Sequence, residues 1–397
     1  MSALNNIPIF DIDTHYTEPS DLWTSRAPSK FKGQVLHTKR DASGKDAWYV
    51  GDRMTAPIGP AVINRANEKV PGRTNLDNYD EMTLASTNIK ERLALMDTRG
   101  VSTEIVYPNV VGFGAQRLIG LSDDLELRNF HVTTYNDAIA DLQKETKGRL
   151  KPQAVLPLWD IEASIKELER CREKLGLCGI AMTSAPQDFD QPQLSDEKWA
   201  PFWDACQELD IPVNFHIGTI SAEPAIQSFW GHKVLYRPDG TQNGALASYL
   251  SASMFLANFQ QIVNLILTKM CDRYPRIKWV SVESGVGWIP FIVRSLEYSF
   301  EDMLTAEERR TYKKRPKEYL RDHIYTSYWF ENENAVKLYV EEFGSDNLMF
   351  ETDFPHPQSL HPDVRGKVHE TLRSFSEDVQ HKILHRNAER VYGRMGG

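Results

Sequence analysis

The chain is poor in cysteine and in basic clusters, and each shortage narrows what it can be. Cys171, Cys178, Cys206 and Cys271 are the four cysteines in 397 residues. They form no CxxC pair and no zinc spacing. Most fall inside helix-like stretches as buried thiols, so a reducing cytoplasm is the expected setting. The formal net charge is -9. Without a cluster of Lys and Arg, nucleic acid is not expected as a partner, and the acidic balance disfavours anionic membranes. No apolar run approaches membrane-spanning length. The N-terminus lacks the charged and apolar regions of a signal peptide, so none is expected. No glycine-rich phosphate loop follows a strand-like run, which argues against a dinucleotide fold. Low-complexity segments and short repeats are also missing.

What is present has the proportions of an ordinary soluble enzyme. The length suits one large α/β barrel or two or three smaller domains. An apolar run, Ile7-Pro8-Ile9-Phe10, opens the chain as a strand and leads into Asp11-Ile12-Asp13-Thr14-His15-Tyr16-Thr17-Glu18. Residues 31–80 read as irregular, rich in Gly, Pro, Asn and Lys; a loop that long is usually functional, here a cover over one barrel mouth. From Thr83 to Arg99, Ile89, Leu93 and Met96 recur at helical spacing, and Gly100 ends the run.

The chain then alternates. Strands are expected at Thr103–Tyr107, Gln153–Leu158, Cys178–Met182, Ile211–His216, Lys278–Glu283, His323–Tyr328 and Asn347–Asp353. Helices are expected at Leu125–Lys147 with Asp123 as cap, after Asp160, at Trp199–Leu209, Leu250–Arg273, Pro290–Phe300, Asn332–Phe343 and within Asp363–Tyr392. A second long loop, with Trp230 and His232, spans about 217–243. Eight strand-like runs alternating with helices predict an α/β fold, a (β/α)8 TIM barrel with long loop insertions at its C-terminal face.

In such a barrel the active site lies where the strands end. Alternation of faces along the first strand points Asp11, Asp13 and His15 the same way, and Glu18 folds back toward them. The fifth strand ends on His216, the sixth on Glu283 and the eighth on Asp353, with His356 just beyond. Carboxylates and imidazoles converging from separate strands make a poor core and a good cation site.

These residues carry a resemblance. The chain resembles the amidohydrolase-related proteins of the amidohydrolase superfamily, in the branch that includes aminocarboxymuconate-semialdehyde decarboxylase. The marks are Asp13-Thr14-His15-Tyr16-Thr17-Glu18-Pro19, His216, and Arg273-Tyr274-Pro275-Arg276-Ile277-Lys278-Trp279. Others are Glu283-Ser284-Gly285-Val286-Gly287-Trp288-Ile289-Pro290, Thr352-Asp353-Phe354-Pro355-His356 and Arg386-Asn387-Ala388-Glu389-Arg390. The match covers nearly the whole chain, as one domain over 1–397 with insertions at about 31–80 and 217–243. It implies metal ligands at the first strand, at His216 and at Asp353. Two positions depart from the family pattern. Asp13 stands where the superfamily often has the first His of His-x-His, and Glu283 stands where its decarboxylases usually have an acid/base His.

The candidate ligand set is therefore Asp13, His15, Glu18, His216, Glu283, Asp353 and His356, with Asp353 and Glu283 also as catalytic candidates. Four carboxylates in one pocket leave a single divalent ion outweighed, and unpaired buried charge is costly. One or two divalent transition metal ions (Fe, Mn or Zn) are expected; Glu18 and His356 alternatively orient the ligands from behind. Tyr107, Trp159, Trp230, Trp288, Tyr328 and Trp329 bound the cavity or belong to the core. Arg117 and Arg294 pair a substrate carboxylate or form surface salt bridges.

The first functional reading is hydrolysis of a small carboxylate- or carbonyl-bearing molecule, with a metal-activated water that Asp353 holds and deprotonates. The second is non-oxidative decarboxylation of a small aromatic or unsaturated acid. A third is oxygen activation at a dinuclear Fe or Fe/Mn site. A non-enzymatic reading makes the chain the scaffold subunit of a complex. The expected partners are a small-molecule substrate and a second subunit, as a homo-oligomer such as a dimer or paired with a paralogous chain.

Overall fold

The computed structural model describes residues 3–219, 229 and 243–393. β1 (Ile9–His15) is followed by three short strands, β2 (His37–Arg40), β3 (Asp46–Val50) and β4 (Arg53–Pro57). Then come β5 (Val101–Tyr107), β6 (Leu150–Pro152), β7 (Ile180–Met182), β8 (Val213–His216), β9 (Trp279–Val282), β10 (Ile324–Tyr328) and β11 (Leu348–Phe350). Eight of them form one sheet in the order β6-β5-β1-β11-β10-β9-β8-β7. All its pairings are parallel, and a single parallel bridge, Ala154 to Ile180, joins the two ends. The sheet is thereby closed into the expected (β/α)8 barrel, with a helix between most successive strands.

Two apolar layers follow from the alternation of side chains along each strand. Phe10, Ile12, Ile105, Ala181, Val282 and Met349 meet inside the barrel, where Val391 and Tyr392 of the last helix join them. The opposite faces, with Ile9, Val106, Ile180, Phe215, Trp279 and Phe350, pack outward on the helices in the larger core.

Several elements differ from the sequence reading. Residues 31–80 are not simply irregular, since β2, β3 and β4 form an antiparallel sheet there. The third barrel strand is β6 at Leu150–Pro152, and Val155, Leu156 and Leu158 are buried in the connection after it; a short apolar run does not reveal whether it is strand or buried loop. Asp124, not Asp123, caps Leu125–Glu145, accepting from the amides of Glu126 and Leu127. The long helix expected at Leu250–Arg273 is three helices, Gly244–Phe255, Ala257–Leu267 and Met270–Arg273, with Lys269 at φ 60 between the last two.

That region also corrects the statement on apolar runs. Gly244–Leu267 spans 24 residues without a charged side chain, long and apolar enough to cross a membrane. Its Asn258 and Gln261 are nevertheless buried. The Asn258 amide donates to the carbonyls of Phe215 and Val282 at 2.8 and 3.2 Å, which seats the stretch on the barrel. Most of the expected loop at 217–243, with Trp230 and His232, lies outside the described residues.

Candidate metal centre

Strand geometry assembles the site. The register of β1 against β5 shifts between Asp11 and Thr14, so Asp11 and Asp13 part company. The Asp11 carboxylate accepts from the Thr352 amide at 3.0 Å and from its hydroxyl at 2.5 Å. Asp13 instead reaches across the barrel, its Oδ1 3.4 Å from Nε2 of His216 and 3.6 Å from Nε2 of His15. The end of β1 is pinned to the segment after β11 by two backbone bonds, Asp353 N–H to the Asp13 carbonyl at 2.8 Å and His15 N–H to the Phe354 carbonyl at 2.7 Å.

Asp353 Oδ1 lies 3.5 Å from His15 Nε2 and 2.8 Å from His356 Nδ1. Glu283 Oε2 lies 3.3 Å from His216 Nδ1. Three ligand sets result, each with its atoms within 4.8 Å of one another: Asp13, His15 and His216; His15, Asp353 and His356; Asp13, Glu283 and Asp353. The His15 and His356 rings stack at 3.6 Å, and Phe113 stacks on His216 at 3.7 Å.

Glu18 is buried with these residues but is differently occupied. Its carboxylate accepts from the backbone amides of Asn109 and Val110 at 2.7 and 3.1 Å. The Asn109 side chain donates to Glu18 at 3.4 Å, and its Oδ1 lies 3.2 Å from His356 Nε2. Glu18 thus stands behind His356, with Asn109 between them. Neither Asn109 nor Glu351 stood out in the sequence. Glu351 is fully buried at the end of β11; its Oε2 accepts from the Ser327 hydroxyl and, at 3.2 Å, from the Glu283 amide. Its spacing of two from Asp353, like that of Asp11 from Asp13, was the available signal.

The electrostatics follow from crowding in a dry place. Burial raises Asp13 above the usual carboxylate range, against the pull of His216. Burial, then Glu283 and Asp13, raise Asp353 well above it. Burial, then Asp13, raise Glu351. Glu283 is pushed up to about 8 by burial, against His216 and with Asp13. His15 and His356 are held well below an ordinary imidazole, by burial first and then by neighbouring histidines. For His216 burial pulls down, yet Asp13 and Glu283 together raise it.

Both oxygens of Asp13 and of Asp353, both ring nitrogens of His15 and Nε2 of His216 are buried without a well-aligned hydrogen bond among the described residues. Buried polar atoms left unpaired in native proteins call for an ion or water. Neutral imidazoles and carboxylates aimed at common points suit a divalent transition metal, in one position or two.

The remaining candidates separate. Tyr107 is buried beside the site, its ring 4.9 Å from that of His216. Tyr328 packs on Phe350 in the outer core, and Trp329 meets Phe255. Trp288 donates to the Ser284 carbonyl at 2.8 Å, and Trp159 stacks near Phe189. Arg117 donates to the Asn109 carbonyl at 3.0 Å, while Arg294 is an exposed partner of Glu342 away from the site. Trp230 lies outside the described residues.

Part of residues 31–80 packs against the segment that follows β11. Val62 N–H donates to the Pro355 carbonyl at 3.1 Å, Asn67 offers its carbonyl to His361 Nε2 at 2.7 Å, and Lys69 Nζ donates to the Ser359 carbonyl at 2.5 Å.

Comparison with known proteins agrees with this architecture. The family model described as Amidohydrolase matches residues 11–394. The chain is 27% identical over 65% of both chains to 2-amino-3-carboxymuconate-6-semialdehyde decarboxylase of Dictyostelium discoideum. It is 25% identical to gamma-resorcylate decarboxylase of Rhizobium sp. (strain MTP-10005), over 84% of this chain and 94% of that one. An amidohydrolase from Mycobacterium avium subsp. paratuberculosis K-10 has the same fold, at TM-score 0.69 and 22% identity over 98% of this chain and all of that one. So does dihydroxybenzoic acid decarboxylase of Polaromonas sp. JS666, solved with bound manganese and the inhibitor 2-nitroresorcinol, at TM-score 0.62 and 18% identity over 97% of each chain. With a family match spanning the barrel and every ligand candidate, the chain belongs to the amidohydrolase family.

Proposed function

We propose that this protein is a metal-dependent, non-oxidative decarboxylase of a small aromatic or unsaturated carboxylic acid. The observation that carries the reading is the overlap of buried ligand sets that share Asp13, His15, His216 and Asp353 at the barrel mouth, in a chain whose relatives include decarboxylases of such acids. Those relatives favour decarboxylation, ranked second from the sequence, over the hydrolysis ranked first.

Asp13, His15, His216 and Asp353 would hold a divalent ion such as manganese, iron or zinc. When bound, it would supply a positive charge to attract the acid and stabilise negative charge as CO2 leaves. His356, backed by Asn109 and Glu18, completes the set or fixes the stacked His15 ring. Loss of CO2 leaves an electron pair on the ring or vinyl carbon, and one proton must be delivered there. Glu283 is the acid in place to deliver it. Tyr107 and Phe113 line the adjoining wall and favour a flat substrate. A cytoplasmic setting is supported by four buried free thiols. Assembly as a dimer, or with a paralogous chain, would cover Phe291 and Tyr298, exposed seven residues apart on the helix Ile289–Met303.

One observation favours a second reading. Asp13, Glu283 and Asp353 form a carboxylate set of their own with Glu351 beside it, and that density of negative charge suits a second ion and oxygen chemistry at a dinuclear centre. Glu283→Gln separates the two. Elemental analysis of chelator-free protein, with CO2 release from 2,6-dihydroxybenzoate and related acids, is the measurement. Under the decarboxylase reading the variant keeps its metal and loses turnover. Loss of one ion from a two-ion wild type, with no CO2 release by either protein, overturns it in favour of the dinuclear centre.

A further inference from the structure

Outside the metal centre, a cavity of about 230 Å³ opens between the barrel wall and the helix Leu125–Glu145. Its body is apolar, with Leu22, Ile89, Val106 and Ile139. Its mouth is acidic: Asp21, Asp141 and Glu145 are exposed there, and the Arg26 guanidinium is drawn to Asp141 at 3.0 Å. Three carboxylates against one guanidinium repel an anion and attract a cation.

The inner end is different. Tyr135 is 2% exposed and lines the cavity, close enough to Glu18 to feel its charge. Glu18, also at this end, is held by the Asn109 and Val110 amides on one oxygen and by the Asn109 side chain on the other. A phenol facing a cavity offers a ligand's hydroxyl both a donor and an acceptor. The dimensions limit the ligand's size. A cavity of about 150 Å³ holds benzene, so this one takes a single ring with a short side chain.

We propose that this cavity binds a small primary amine carrying a hydroxyl at its far end, with the ammonium at the acidic mouth, the hydrocarbon between Leu22 and Ile139, and the hydroxyl on Tyr135. The site does not depend on the reaction assigned to the metal centre. It connects to that centre through Glu18, Asn109 and His356, and through Tyr16, which follows His15.

Titration calorimetry on the metal-loaded full chain tests it with three probes: tyramine, phenethylamine and 4-hydroxyphenylpropanoate. Tyramine should bind saturably and about tenfold more tightly than phenethylamine, which has no hydroxyl to offer Tyr135. The acid should not bind. In Tyr135→Phe the two amines should become equal. Ala138→Phe, which fills the cavity from the helix, should abolish both, with the unfolding temperature checking that the variant folds. Binding in Asp353→Asn should match wild type. No saturable amine binding, equal binding of the acid, or a tyramine preference that survives Tyr135→Phe would each overturn the proposal.

Discussion

Glu283 and Asp353 share an unusual backbone state. They follow β9 and β11, and their φ angles are 56° and 57°, in the left-handed region that side chains with a Cβ seldom enter. Such a conformation costs of order 1–3 kcal/mol and persists where the surroundings over-determine it. Here the Asp353 amide is taken by the Asp13 carbonyl at 2.8 Å and the Glu283 amide by Glu351 at 3.2 Å. The turn aims both carboxylates back over the barrel mouth.

Asp353→Asn should fold as wild type does, because Asn tolerates the left-handed region better than most residues. Its amide is a poorer ligand and no base, so turnover should fall by about three or more powers of ten. Circular dichroism with steady-state rates checks both statements, and near-normal turnover would remove Asp353 from the site.

The metal-free protein should lose stability as pH rises. Glu283 moves from an ordinary 4.5 in the unfolded chain to about 8 in the folded one, and Asp13, Glu351 and Asp353 are raised too. A carboxyl raised on folding favours the native state below its unfolded pKa, and that contribution is lost as pH climbs through the folded value. The lowered His15 and His356 act oppositely, but only up to the ordinary imidazole value of 6.5. Between 6.5 and about 8 the carboxylates therefore decide. Scanning calorimetry with and without manganese should show a falling Tm for the metal-free protein and a nearly flat one for the loaded protein. A metal-free Tm that rises over this interval contradicts the assignment.

Glu18→Gln separates a ligand from a support. Its carboxylate already accepts two backbone amides and the Asn109 side chain. Losing one acceptor should weaken metal binding by about 10- to 100-fold while leaving the number of ions unchanged, the usual effect of a group that orients a ligand. A drop of one whole ion per chain would make Glu18 a direct ligand.

Arg92 is a stability test. It is fully buried, donates to Glu104 at 2.6 Å and to the His15 carbonyl at 3.1 Å, and lies over the Phe354 ring. Arg92→Met leaves Glu104 buried without its charge partner, which should cost about 3–5 kcal/mol. Urea denaturation measures it; a loss under about 1 kcal/mol would show that Glu104 finds other compensation.

The strand ends carried most of the candidate site in plain view. Asp13, His15, His216, Glu283 and Asp353 lie at or just beyond strand-like runs, and barrel geometry sends such positions to one mouth. Asn109 and the behaviour of Glu18 were not legible, because a side chain that accepts backbone amides leaves no periodic trace. The small sheet at β2–β4 was hidden for another reason. His37–Arg40 is all polar or charged, and Arg53–Pro57 ends on proline, so neither alternates as a strand normally does. Gly51-Asp52 between Val50 and Arg53 was the hairpin signal that remained.

The closure between β6 and β7 has a mechanical meaning. Elsewhere around the ring neighbouring strands share a ladder or are pinned at their ends, but here the backbone contact is one bridge at Ala154 and Ile180, with Gln153 donating to Cys178 at 3.7 Å and accepting from Asn214 at 2.8 Å beside it. Its bonds run from Ala154 N–H to the Gly179 carbonyl at 3.0 Å and from Ala181 N–H to the Ala154 carbonyl at 2.9 Å. Local opening follows low backbone protection, so amide hydrogen exchange should be faster at this seam than in the laddered strands. The candidate ligands sit on β1, β8, β9 and β11, all clear of that seam. The wall can flex between β6 and β7 without spreading the residues that must stay converged.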